Sequence, residues 1–426
     1  MKTSTIQVFA AIVVLLASAS CGSYVPVAAG DNFAYLYGKG AAAVRLQARI
    51  YQPDDESALI YFKLRTADLL YKGSGGGGPY HARVVMRYEA YPSPGSRELL
   101  DSASTFVKDQ SMMANADKEL IGSMALSTVG RTPFIVRITA HDLNRDAQSS
   151  VMLRVQRGVV GDAQEFLPLG DNQLPLFDDH VRPGTTLKVE AENLAGSLLH
   201  VAHHPPVNKL PAPVFANTPP PDLVAAPDST FTVRVEHDGT FHFTAGQAGF
   251  YHFRVDTAEM TGYTLFAPTE SYPIIGTAPD MLPPLRYITS LKEWERLSTA
   301  TEIRQAVEEF WTDAAGTRDR AREAIAGYYG RVESANRHFT SYVEGWKTDR
   351  GLVHIIFGTP TTIRKDARSE TWAYGDETNL MSLVFTFVRR EGPFSDNDLV
   401  LQRDPRLKSA WYRNVESWRN GRILQN

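Results

Sequence analysis

Short runs with an apolar residue at every second position fill much of this chain up to about residue 255, and they commit that region to β-sheet. The run 44–50 (VRLQARI) puts Val44, Leu46, Ala48 and Ile50 on one face of a strand. The run 59–64 (LIYFKL) is more continuously apolar, as a central strand would be, and 82–91, 134–139 and 151–155 repeat the pattern. Turn-forming residues separate them at 53–55, 92–95 and 143–146. Several short strands at this spacing predict an antiparallel β-sandwich over 31–158. The glycine-rich run 73–79 lacks both a Gly-Lys-Ser/Thr ending and a following helix start, so it reads as a hairpin loop and not as a phosphate loop.

A second set of strands occupies 160–277. The runs 186–191 and 231–235 alternate, and 239–243 with 249–255 reads as a hairpin with Phe241, Phe243, Tyr251, Phe253 and Val255 facing inward. This "DGTFHF … AGFYHFRV" pattern resembles the closing strands of bacterial immunoglobulin-like domains. The loop from His204 to Pro227 is too rich in proline for sheet or helix, and reads as a crossover loop or a docking arm. His200, His203, His204, His242 and His252 fall near one another in this reading. A metal centre needs three or four convergent ligands with outer support, and none is expected here. His242 and His252 alternate with the apolar residues and should face solvent or a neighbouring domain.

The pattern then changes to helical. Residues 278–284 read as a proline-containing linker. Thr299 with Glu302 fits a capping box, followed by the stripe Ile303, Val307, Phe310 and Trp311. A long helix is predicted from about Arg318 to Tyr342, with Ala321, Ile325, Tyr328, Val332, Ala335, Phe339 and Tyr342 on its buried face. Residues 407–426 predict an amphipathic tail helix carrying Trp411, Val415 and Trp418, packed on the domain or against a partner or membrane. All six tryptophans lie at or beyond Trp294, so this part has a composition of its own.

Composition narrows the functional classes. The net charge of −4 argues against a nucleic-acid binder, although Arg318–Arg322 is locally basic. The single cysteine, Cys21, excludes an intramolecular disulfide and a multi-cysteine zinc site. It follows Lys2, an apolar run over 6–17 and the small residues Ser18, Ala19 and Ser20. That order is a secretory leader, and its apolar run is short of the roughly 20 residues a membrane span needs. The segment resembles a bacterial lipoprotein signal, with Ser18 where leucine is usual, as in relaxed Bacteroidota patterns. The resemblance implies removal of 1–20, lipid attachment at Cys21 and a tether over 21–30. The tether lacks the acidic cluster that resembles a surface-export signal, so the periplasmic face of the outer membrane is expected.

The stretch 345–360 (GWKTDRGLVHIIFGTP) is the centre of the last domain. Gly345, Trp346, Thr348, Asp349, Arg350 and Gly351 match the name-giving motif of the GWxTD-domain family. Phe310-Trp311 and 331–336 match upstream. Gly358, Pro360, 370–374 with Trp372 and Tyr374, and 384–387 match downstream. The resemblance covers about 285–426 and implies a bacterial secreted or lipid-anchored protein, with no established activity and no catalytic residues. A second similarity, to SmpA/OmlA-type lipoproteins of the outer-membrane barrel-assembly machinery, implies a helical pair on a small antiparallel sheet. Residues 352–357 read instead as a strand.

In the motif, Trp346 should be buried, Thr348 and Asp349 should accept turn or cap N–H groups, and Arg350 should pair with Asp349 or a neighbouring carboxylate. Gly345 and Gly351 should supply unusual backbone angles. No hydrolase, metalloprotease, nucleotide or dinucleotide motif is present. The expectation is two immunoglobulin-like sandwiches followed by an α+β domain, in a non-enzymatic outer-membrane lipoprotein without cofactor or metal. It would bind a protein partner in an envelope or secretion assembly, with the sandwiches as spacer or docking arm. The alternative is an envelope glycan- or peptidoglycan-handling protein, such as a hydrolase, with a site around Asp349, Arg350 and His354. A cleft with convergent carboxylates such as Glu370 and Asp376 would mark it.

Overall fold

Alternation does produce strands. In the computed structural model, β1 (Leu46–Tyr51), β2 (Leu59–Arg65), β3 (Lys72–Gly73), β4 (Tyr80–Tyr91), β5 (Asp101–Ser111), β6 (Glu119–Ala125), β7 (Phe134–Asp142) and β8 (Ala147–Val155) form a first sandwich. One sheet is ordered β1-β2-β6 and the other β3-β4-β7-β8, with β5 on the far edge of β4. Every second residue of β4 and β7 is buried, and Ile60, Met86, Tyr88, Val136 and Ile138 fill the core. The glycine-rich run joins β3 to β4, which pair antiparallel across it. Residues 32–37, 44–73, 75, 78–113, 117–127, 132–217, 226–268, 271–366, 368–376, 379, 381–390, 392 and 394–422 are the ones described. The leader, Cys21 and the tether lie outside them.

The second sandwich contains β9 (Leu167–Leu169), β10 (Thr186–Glu190), β11 (Leu198–His204), β12 (Ser229–Arg234), β13 (Thr240–Thr244), β14 (Gly249–Arg254) and β15 (Tyr263–Ala267). Its sheets are ordered β13-β10-β9 and β12-β11-β14-β15. The sequence expectation of a β13–β14 hairpin is therefore wrong: the two strands lie in opposite sheets. Their inward aromatics meet across the core, Phe243 to Phe253 at 4.9 Å and Phe243 to Tyr251 at 5.0 Å. Alternation reports which face is buried, and strands that face each other show the same pattern as strands that pair. Between the sandwiches, Arg49 reaches Asp179 at 2.6 Å, and Gln52 donates to Gln156 and Gln164.

The C-terminal part contains α1 (Ala278–Met281), α2 (Leu291–Ser298), α3 (Ile303–Ala315), α4 (Arg318–Phe339), α5 (Asp349–Phe357), β16 (Thr362–Lys365), β17 (Ser369–Tyr374), β18 (Leu383–Arg389), β19 (Leu399–Leu401) and α6 (Lys408–Arg419). Its four strands form one antiparallel sheet in chain order. Residues 278–284 are not a linker. Thr277 and Asp280 form a capping box with Pro279 in the first turn, a position that proline tolerates, and Leu285 is fully buried. Thr299 and Glu302 do not form a box either. Thr299 closes α2, whose box is Ser290 with Glu293, and Glu302 precedes α3 without a side-chain cap.

Two remote segments join this C-terminal core. Phe33 donates its N–H to Ile363 at the sheet edge at 2.9 Å, and Phe33 and Tyr37 are buried there. The sequence reading places them with the first sandwich. The described part of the proline-rich loop, 204–217, lies along the same domain: Val214 is fully buried, Asp404 donates to its carbonyl, and Arg403 donates to Ala212. It is both a crossover and an arm, docked on its own chain.

The second sandwich meets this domain through a histidine. His252 is buried beside Phe394, ring centroids 4.9 Å apart, with its nitrogens 3.0 Å from the Thr264 hydroxyl and 3.1 Å from the Met260 carbonyl. His242 is exposed. Burial, aided by the charges of Arg254 and His204, pulls His252 down to about 4 against the Met260 contact. Above its ordinary value of 6.5 both folded and unfolded forms are neutral. As pH falls below that, the unfolded chain takes up a proton that the folded chain refuses. Stability is therefore lost between pH 6.5 and 4, by up to about 3 kcal/mol from this group. Melting temperature followed across this interval should fall, and His252→Gln should flatten the fall.

Candidate functional site

The GWxTD stretch is an interior junction built on two close backbone approaches. Residues Gly345–Lys347 form a 3-10 turn pressed against the end of α4. A Cβ on Gly345 would sit 1.9 Å from the Ala335 carbonyl oxygen, and one on Gly351 would sit 2.0 Å from the Gly345 carbonyl oxygen. Neither has a positive φ, so these glycines provide room, not the unusual angles expected from sequence. Asn336 accepts from the Trp346 N–H at 3.2 Å, and Tyr287 donates to the Trp346 carbonyl at 2.8 Å. Trp346 is buried. Thr348 caps α5, accepting from the Gly351 N–H at 3.0 Å while donating to the Gly345 carbonyl at 2.7 Å.

All nine residues of α5 are buried, so 352–357 is helix where the sequence suggested strand. A helix surrounded by protein shows no polar face, and a short apolar run then has no period to read. Its last carbonyls are met by Arg331, which reaches Ile355 at 3.1 Å, and by the Trp418 indole, 3.3 Å from Ile356. The α4–α5 pair lies against the sheet, with the Phe339 ring 5.5 Å from Trp372 and Asp349 accepting from the Leu401 N–H.

Asp349 and Arg350 are both buried, and they do not pair with each other. Asp349 accepts from the Leu401 N–H at 2.8 Å and from Arg403 at 2.5 and 3.3 Å. Arg350 reaches Glu370 at 3.4 Å and donates to the carbonyl and side chain of Asn397 at 2.8 and 2.5 Å. Consecutive helix residues diverge by about 100°, so the two charges are sent to different strands. Glu370 also accepts from the Trp372 indole at 2.7 Å and lies 3.3 Å from Lys365, which donates to the Tyr37 hydroxyl at 2.6 Å. Burial drives Glu370 up, but Lys365, Arg350 and the Trp372 bond outweigh it, and the carboxyl ends below its ordinary value.

The remaining candidates fit the same frame. Gly358 has φ +85° and ends α5, its carbonyl accepting from Tyr374 at 2.8 Å. Pro360 is buried behind it. Burial pushes the Tyr374 hydroxyl well up. Trp372 is buried among Tyr37, Phe339 and Phe387. His354 faces α4, its Nε2 3.1 Å from the Ser334 hydroxyl. Asp376 is exposed at the turn beyond β17, whereas Glu370 is buried near the start of that strand. The carboxylates do not converge, and Asp349, Arg350 and His354 point to three different elements. Arg403, Asn397, Lys365 and Tyr37, all essential to the junction, carry no motif spacing that would reveal them.

His200, His203 and His204 also find ordinary roles or none in a site. His203 lies 2.7 Å from Asp228, and His204 stacks on Phe250 at 4.6 Å. Among the described residues, no group of three or more His, Cys, Asp or Glu could hold a metal ion. No described helix is long and apolar enough to cross a membrane. The tail helix packs on the domain: Trp411 and Trp418 are buried, and Arg419 forks onto Glu293 with both contacts at 2.8 Å. A cleft of about 670 Å³ opens beside it, walled by Leu210, Pro213 and Phe215 of the arm and by Trp411 and Val415.

Residues 249–420 match the GWxTD domain. The match starts at β14, so it takes in the last two strands of the second sandwich as well as the helices and final sheet. No curated protein matches the chain. Among solved structures, BcpA, the major pilin subunit of Bacillus cereus, aligns at 9% identity over 49% of this chain and 58% of that one, with TM-score 0.14. The group B streptococcus pilus 2b backbone protein aligns at 9% identity over 49% and 82%, with TM-score 0.13. Scores this low support no argument from either pilin.

Proposed function

The C-terminal part of this chain is a GWxTD domain, and from that premise we propose a non-enzymatic lipoprotein of the outer membrane, anchored at Cys21 and facing the periplasm, that binds a protein partner in an envelope assembly. The observation that supports this reading is the consumption of the motif's charges inside the fold. Asp349 is taken by Arg403 and the Leu401 N–H, and Arg350 by Glu370 and Asn397. A catalytic group has to be free to meet substrate. These groups hold α5 to the sheet instead. The sandwiches are immunoglobulin-like modules in this proposal, an assignment supported by their two-sheet arrangement.

The attachment of Phe33 changes how such a lipoprotein would stand. From Cys21 to Phe33 is 33 − 21 = 12 residues, a reach of at most roughly 40 Å when extended. Phe33 and Tyr37 are fastened to the GWxTD domain. An anchor on Cys21 would thus keep Phe33 within that reach of the bilayer.

Gentle extraction of tagged protein from native membranes, with crosslinking and mass spectrometry, tests the proposal. Wild-type chain should recover envelope components in fixed stoichiometry, and Cys21→Ser should leave the membrane fraction and lose them. Wild-type protein that emerges alone would overturn the assembly reading.

A further inference from the structure

The cleft beside α6 has one polar end, and that end is incompletely bonded. Thr289 lines it with 8% of its surface exposed, and its hydroxyl has no hydrogen-bond partner. Arg286, also in the lining, donates one guanidinium nitrogen to the Thr289 carbonyl at 3.2 Å, and among the described residues it meets no carboxylate. The Arg286 guanidinium therefore lies against the backbone of Thr289. Of the other polar groups of the wall, Arg419 is held by Glu293, the Ser290 hydroxyl by Glu293 at 2.7 Å, the Tyr287 hydroxyl by the Trp346 carbonyl at 2.8 Å, and Glu416 by Asn420 at 3.0 Å, with Arg419 3.9 Å away, while Tyr412 is exposed. The rest is apolar, with Phe215 on Tyr412 at 5.5 Å and on Trp411 at 6.4 Å. The volume of about 670 Å³ lies within the range of small-ligand sites, as does an apolar wall with a few convergent polar groups.

We propose that this cleft binds a small amphiphile with an apolar body and a single carboxylate. The body lies between the proline-rich arm and α6, and the carboxylate takes the open donors of Arg286 and the Thr289 hydroxyl. Charge complementarity selects the head group, because an unpaired guanidinium beside an apolar wall favours a carboxylate over an alcohol or an amine. The cleft borders the GWxTD junction through Leu352 of α5 and through Tyr287, whose hydroxyl donates to the Trp346 carbonyl.

Titration of the full-length chain carrying Cys21→Ser with dodecanoate and with dodecanol, followed calorimetrically below their aggregation limits, tests the proposal. One dodecanoate per chain should bind, about tenfold more tightly than dodecanol, the weight of one charge-assisted pair. Arg286→Gln should abolish that preference, and Thr289→Val should weaken dodecanoate alone. Val415→Trp, which fills the cleft, should remove binding of both while the melting temperature holds. An apolar dipeptide offered as free acid and as amide identifies the source of the carboxylate: tighter binding of the acid than of dodecanoate assigns a peptide terminus, and the reverse a fatty acid. Absence of saturable dodecanoate binding to the folded chain would overturn the proposal, as would equal binding of dodecanol or indifference to Arg286→Gln.

Discussion

Gly345→Ala is expected to unfold the C-terminal domain. The added methyl would lie 1.9 Å from the Ala335 carbonyl oxygen and 2.8 Å from Asn336 Cα, both backbone atoms of α4. Side chains can rotate away from an intruder; a helix backbone cannot. The turn cannot retreat either, since Trp346 is bonded on one side to Asn336 and on the other to Tyr287. The cost should exceed about 4 kcal/mol, the range reserved for changes that the fold cannot absorb, and a comparable share of total stability. Gly351→Ala should do the same through the Gly345 carbonyl. Gly246→Ala, where a Cβ meets nothing within 4 Å, should stay within about 0.5 kcal/mol. Urea unfolding followed by tryptophan fluorescence reads this domain selectively, because every tryptophan lies at or beyond Trp294. A Gly345→Ala chain that unfolds with the wild-type midpoint would show that the turn does not bear on α4.

What could be read from sequence was local. Leu46–Tyr51 and Tyr80–Tyr91 are strands because alternation directly encodes a buried face. β5 and β6 carry no clear strand signal because their residues are mostly polar or half-exposed, leaving no clean alternation. β13 and β14 read as strands from their alternation, which says nothing of which strand each one pairs with. Pairing is a tertiary property, and inward-facing Phe243 and Phe253 would look alike in either arrangement. The helical stripe through Tyr328, Val332, Ala335 and Phe339 was legible because α4 keeps one wet side; α5 has none. The motif's residue types also pointed correctly to capping and burial. Its partners did not show, because they are brought in by folding across 47, 54 and 333 positions, from Asn397, Arg403 and Tyr37. No spacing rule reaches that far.

The same long-range pairing sets the second large effect. Arg403→Met should cost roughly 3–5 kcal/mol, the usual consequence of stripping one partner from a buried ion pair. Asp349 would keep the Leu401 N–H but lose its counter-charge, and the arm would lose the bond from Arg403 to Ala212 at 3.0 Å. Asp349→Asn should also destabilise, and the double variant should cost less than the sum, since the second change removes the charge that the first left unpaired. Cycles of Asp349 with Arg403 and of Arg350 with Glu370 should each show a larger coupling energy than a cycle of Asp349 with Arg350, neighbours in sequence that serve different strands. The ranking separates two views of the motif. If Asp349 and Arg350 formed one reactive pair, their mutual coupling would dominate and Asp349→Asn would leave the melting temperature nearly unchanged. If the motif joins α5 to the sheet, the couplings follow the strands, and Asp349→Asn is felt first as lost stability.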